Sequence, residues 1–109
     1  MEKIVNAKVL EASIWRTFTN KMVLRVIFDV GVGERRLREW QCPVQEEEGK
    51  PYLLYEVMNF FKVQSTADME GAVCRIIGPG HQYIQGMINL FDDSFKIDGP
   101  SDQNDFGRL

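Results

Sequence analysis

Arginine and tryptophan crowd the first forty positions of this 109-residue chain: Trp15, Arg25, Arg35, Arg36, Arg38 and Trp40. A planar guanidinium grips phosphate or carboxylate through paired N–H bonds, and an indole can stack on a base or receive a cation over its face. These six residues form the candidate binding set. The competing reading is that they satisfy neighbours across strands, Asp29 with Arg36 and Arg25 with Trp40, each pair contributing roughly 0.2–1 kcal/mol. Trp15 and Phe18 precede the basic segment and are the candidates for exposed anchors, because aromatic and Arg side chains dominate binding hot spots.

Other chemistry finds less support. His81 is the only histidine, and Cys42 and Cys74 lack the spacing of zinc-ligand pairs. A thiol–imidazole pair would need the fold to assemble distant residues, and Cys74 sits in an alternating apolar stretch, where thiols pack rather than react. Gly31-Val32-Gly33 follows a strand pattern, but Arg36 stands where a dinucleotide fingerprint needs its third glycine, and no helix follows to receive phosphate. Gly78-Pro79-Gly80-His81 lacks the Lys-Ser/Thr of a phosphate loop, so both segments read as turns. Asp92-Asp93, with Asp98 nearby, could hold a cation, yet adjacent aspartates between strands more often hydrogen-bond their own backbone. A non-enzyme is expected, with no catalytic residues, no metal and no cofactor.

The basic set must be positioned by a hairpin. Residues 21–30 alternate Met22, Leu24, Val26, Phe28 and Val30 with Lys21, Arg25 and Asp29, the period of two that buries one sheet face. Gly31-Val32-Gly33-Glu34 breaks the pattern as a loop. A four-residue loop opposes Phe28 with Leu37 and places Arg25, Arg36, Arg38 and Trp40 together on the other face. A three-residue loop would put Arg36 opposite Phe28 and turn guanidinium groups inward, which is expensive without partners. The four-residue register is therefore expected.

Around this hairpin, residues 4–14 read as a first strand. Acidic residues and Pro51 lead into a helix over residues 52–63, with Leu53, Leu54, Val57, Met58, Phe60 and Phe61 at helical spacing. Residues 64–71 form a connector with one helical turn, stopped by Gly71. Residues 72–77 and 83–91 are strands, 92–94 a turn, and 95–97 a last short strand. The fold class is α+β: an antiparallel sheet of about five strands with one amphipathic helix packed on one face. The expected core is Met22, Leu24, Val26, Phe28, Leu37, Leu53, Val57, Met58, Phe61, Val73 and Ile84.

With 44% apolar residues the chain suits a single domain, assigned to residues 1–97, followed by a flexible acidic tail over 98–109. Residues 1–44 carry eight Lys/Arg against five Asp/Glu, whereas 45–109 carry five against eleven. A sequence pI near 5.1 argues against wholesale coating of nucleic acid. The opening residues lack the apolar run of a secretory leader, and nothing approaches the ~18 apolar residues that cross a bilayer. A cytoplasmic protein with reduced, buried thiols and no membrane association is expected.

The order strand, hairpin, glycine loop, helix, then Asp68-Met69-Glu70-Gly71, a strand and Ile88-Asn89-Leu90-Phe91-Asp92-Asp93-Ser94-Phe95 resembles small, mostly uncharacterised accessory proteins of phages and prophages. The resemblance runs from about Lys3 to Phe95. Where those relatives have a glycine-rich segment, this chain has the more basic Gly31-Val32-Gly33-Glu34-Arg35-Arg36-Leu37-Arg38, and no active-site residues carry over. The resemblance implies a phage protein in a bacterial host cytoplasm, in a class rich in inhibitors of host defence. The expected function is a non-catalytic, anti-CRISPR-like inhibitor docking on a host protein complex. The alternatives are a sponge for a nucleotide immune signal and, third, a small enzyme with fold-assembled thiol or carboxylate chemistry. A homo-oligomer is left open, and direct nucleic-acid binding is not expected.

Overall fold

The alternation of Met22, Leu24, Val26 and Phe28 folds as β2 (Met22–Asp29) in the computed structural model, which describes residues 4–16, 18, 20–31, 36–44, 53–78, 84–94 and 96–98. For Leu53, Leu54 and Asp98 it describes the backbone alone. β2 is flanked by β1 (Ile4–Arg16) and β3 (Leu37–Pro43), both antiparallel to it. A turn joins β1 to β2, with Asn20 in the left-handed region at φ 62°, where short amide side chains are tolerated.

β1 is long enough to serve two neighbours. Residues Ile4–Lys8 pair with β4 (Val73–Ile77), and Lys8–Arg16 pair with β2. Leu10 is the extra residue of a bulge that changes register between Val9 and Glu11. A bulge bends its strand and increases local twist. Here it falls where β1 turns from one partner to the other. Backbone bonds from Gly71 N to Val9 O and from Val9 N to Ala72 O, both 2.8 Å, fix that corner, with Gly71 at φ 85°.

β5 (Gly86–Ile88) and β6 (Lys96–Asp98) extend the sheet to the order β3-β2-β1-β4-β5-β6. The expected fold class stands, with six strands rather than about five. β5 is shorter than the expected 83–91, because Asn89 Oδ1 accepts from the backbone N–H groups of Phe91 and Asp92 and bends the chain away. The sheet curls strongly. The N–H of Ile84, just before β5, donates to Glu39 O on β3 at 2.9 Å, and α1 (Leu53–Phe61) touches both β3 and β6.

The helix ends two residues before the expected boundary. Lys62 adopts φ 56°, and the bonds Lys62 N to Asn59 O and Val63 N to Met58 O close the last turn in a Schellman arrangement. The expected helical turn in the connector is a single 3-10 turn, Ala67–Met69.

Leu24, Val26, Phe28, Val57 and Ile84 are buried as expected, joined by Ala7, Val9, Trp40, Cys42, Phe60, Met69, Cys74, Ile76, Met87 and Ile97. Met58 and Phe61 pack half-buried against this cluster, and Met22 is also half-buried. Leu37 and Val73 are corrections, at 55% and 51% exposed. Val73 pairs with Lys8 on the outward parity of the β1–β4 ladder, whereas Cys74 points inward. Leu37 shares the parity of Glu39 and Gln41, opposite to that of Trp40 and Cys42. The side chain of Leu53 lies outside the described residues.

Candidate functional site

The geometry of the basic hairpin follows from its register, which differs by one residue from the expected one. Phe28 pairs with Arg38, Val26 with Trp40 and Leu24 with Cys42, and Val30 N bonds to Arg36 O at 2.8 Å. Five residues, 31–35, separate Val30 from Arg36. The three-residue loop is thus excluded, but so is the four-residue one. A one-residue slip moves every side chain to the opposite face, so the expected set divides. Arg25 falls on the outer face with Glu39 and Gln41, while Arg36, Arg38, Trp40 and Cys42 share the inner parity.

Trp40 is the largest correction: it is fully buried beneath the sheet and cannot stack a ligand. Arg36 and Arg38 escape burial at the loop end of the hairpin, where Arg36 is exposed and Arg38 half-buried. Arg36 forms the expected ion pair with Asp29, Nη2 to Oδ2 at 2.9 Å. Asp29 Oδ1 also accepts from Gly31 N at 2.7 Å. That backbone bond, followed by the Arg36 guanidinium, holds the Asp29 carboxyl below its ordinary range. Arg35 and the rest of the loop over 32–35 lie outside the described residues, as do His81 and the segments 79–83 and 99–109.

The outer face of β1, β2 and β3 carries a connected cluster instead. Trp15 Nε1 donates to Ser13 Oγ at 2.6 Å, and the Arg25 guanidinium carbon lies 5.4 Å from the Trp15 ring centre. Arg25 does not meet Trp40. Its Nη2 pairs with Glu39 Oε1 at 2.9 Å, and Gln41 Nε2 donates to the other oxygen, Oε2. Glu39 and Gln41 are buried despite lying on the face away from Trp40. Trp15 is 39% exposed, and Phe18, at the tip of the adjoining turn, is 73% exposed. Arg16, Lys21 and Ile14 are exposed at the same end. Of the expected set, then, Trp15 and Arg25 are brought together with Phe18 nearby in the chain, and Arg36 and Arg38 stand at the opposite end of the hairpin. Glu39 and Gln41 were not anticipated. The parity of Trp40 and Cys42, two apolar residues two apart, was the signal that places Glu39 and Gln41 outside.

Both thiols are buried in the core, and burial pushes each up to about 12. Burial among apolar side chains disfavours the thiolate at both positions. No cluster of three or more His, Cys, Asp or Glu suited to a metal occurs among the described residues. No described helix is long and apolar enough to cross a membrane.

Asp92 and Asp93 serve the turn between β5 and β6. Asp92 Oδ1 accepts from Ser94 N at 3.0 Å and Ser94 Oγ at 2.6 Å, which hold its carboxyl below the usual range. Asp93 pairs with Arg75, whose guanidinium also donates to Asn89 O. Phe91, expected at the end of a strand, sits in this turn 92% exposed. No family model, no curated protein and no solved structure matches the chain.

Proposed function

We propose that this protein binds single-stranded nucleic acid on the outer face of β1–β2, through Trp15, Phe18 and Arg25. The observation carrying the reading is the cluster itself: an indole fixed by Ser13 under an arginine, with the exposed Phe18 in the adjoining turn. Such aromatic platforms with flanking positive charge suit unpaired bases, whose faces are free to stack. The connectivity supports it. A three-strand meander, a helix, and then a hairpin whose first strand returns to β1 while its second approaches β3 is the path of the partly open Greek-key barrel called the OB-fold, here extended by β6.

The reading departs from the expectation drawn from the low pI, for a physical reason. Charge acts locally, because screening at physiological salt confines it to about 8 Å. The three strands belong to the positive segment 1–44, whatever the sign of the remainder. A labelled oligothymidylate should bind, weakening with salt, and should bind better than a hairpin duplex of equal charge. Trp15→Ala and Phe18→Ala should each weaken it about 5- to 150-fold, as roughly 1–3 kcal/mol of stacking implies. Absence of binding at low salt overturns the proposal. The surface then reverts to the reading implied by the phage resemblance, a docking site for a host protein.

A further inference from the structure

Two polar side chains, Glu39 and Gln41, are buried on the outer face of the hairpin. Arg25 stands opposite Gln41 and reaches across to Glu39: its Nη2 lies 2.9 Å from Oε1, while Gln41 Nε2 donates to Oε2. Both carboxylate oxygens are thereby occupied. The Arg25 Nε is buried without a hydrogen-bond partner among the described residues. A buried ion pair seldom stabilises more than apolar residues of the same size, and an unpaired nitrogen lowers its value further. Stability alone therefore does not explain the arrangement. What it achieves is geometric: the Arg25 guanidinium carbon is held 5.4 Å from the centre of the Trp15 ring.

The same contact has an electrostatic consequence. Arg25 with Glu39 is a neutral pair, so the arginine at the ring adds no net attraction for a polyanion. Its planar group is still 36% exposed, open to lie against a base or donate N–H groups. A duplex offers phosphates but hides its base faces, whereas a single strand offers both. We infer that Glu39 is a positioning residue that sets specificity: it fixes Arg25 against Trp15 and cancels its charge, so the face prefers unpaired bases to duplex phosphate. The preference rests on the nucleic-acid reading above; the fixing of Arg25 does not.

Glu39→Gln tests this, since it removes the charge and keeps the shape. Binding of labelled oligothymidylate and of a hairpin duplex is measured over a salt series, beside wild type. Freeing the Arg25 charge should steepen the dependence of log affinity on log salt, by about 0.7 for the strand and about 0.9 for the duplex. Duplex binding should tighten at low salt, and the preference for the strand should shrink. Arg25→Gln/Glu39→Gln, neutral again, should return to the wild-type slope. A residue that only supports the fold would weaken both ligands at an unchanged slope, and that result overturns the inference. Should Glu39→Gln fail to fold, Arg25→Gln is compared with the double variant. The anion left behind should make its slope the shallower of the two, and equal slopes overturn the inference. If wild type binds neither ligand, the nucleic-acid reading fails and the Trp15 indole N–H resonance of the free protein decides the rest. Glu39→Gln should shift it, and an unmoved resonance overturns the fixing of Arg25.

Discussion

The outer face of β1–β2–β3 and the turn between β5 and β6 both set an aromatic ring beside charge, but they hold it differently. Trp15 is held by side chains: Ser13 accepts its N–H, and Arg25, itself tied to buried Glu39, covers the ring. Phe91 is held through its backbone, while its ring touches mostly water. On the face, a ligand must reorganise an existing cation–ring contact before it can stack. On the turn, nothing needs to move. The face is therefore sensitive to the packing beneath it, and the turn is insulated.

The largest test of that contrast is Trp40→Ala. Trp40 fills the core directly under the hairpin, and its removal should reduce stability by about 3–5 kcal/mol, read as a lower denaturation midpoint. Its Nε1 is buried without a hydrogen-bond partner among the described residues, so Trp40→Phe should recover much of the loss. If Trp40→Ala instead left stability intact and abolished only ligand binding, Trp40 would be on the surface and the observed register would be wrong.

That register is where legibility in the sequence ends. The alternation in β2, the helix over 53–61 and the short strand at the end of the sheet were all readable, because period and composition change sharply there. The pairing of β2 with β3 was not, because both registers preserve a period of two and differ only in where the loop stops. Arg36 was counted into β3, whereas the backbone places it at the loop's edge, with its guanidinium turned to Asp29. The cost of burying a guanidinium does not decide the register either. Arg36 and Arg38 do share the parity of the core, but at the loop end of the hairpin that parity leads to solvent. The turn over residues 89–94 was hidden for another reason. Phe91 reads as a strand residue unless Asn89 is recognised as the bend before it.

A smaller effect separates the two ion pairs of the hairpin. Removing Arg25 leaves the buried carboxylate of Glu39 with only Gln41, so Arg25→Ala should destabilise by about 2 kcal/mol. That lies below the ~3–5 kcal/mol of a fully buried pair, because Arg25 is 36% exposed and solvent screens it. Arg25→Ala/Glu39→Gln should be less destabilised than Arg25→Ala alone, since the stranded charge is gone. Arg36→Ala should leave the melting temperature within error, its partner being open to water. Equal losses in the two single variants would mean that Glu39 is not buried as observed.

The smallest effect is acid sensitivity, and here the two regions should behave alike. Asp29 and Asp92 both have carboxyls lowered in the folded state, the first chiefly by the Gly31 N–H and then by Arg36, the second by the Ser94 hydroxyl and N–H. A lowered folded value means the folded protein prefers the charged form more than the unfolded chain does. Each group therefore stabilises fully above the unfolded carboxyl range, near about 4, and that stabilisation is lost as pH falls through the folded value. Stability should hold from neutrality to about pH 5 and decline below about 4, with Asp29→Ala and Asp92→Ala each flattening the decline. Carboxyl-detected NMR titration separates the sites, because Asp29 should respond to Arg36→Ala and Asp92 to Ser94→Ala. If Ser94→Ala left the Asp92 titration unmoved, the Ser94 hydroxyl would not be what lowers that carboxyl, and the turn would lack its carboxylate latch.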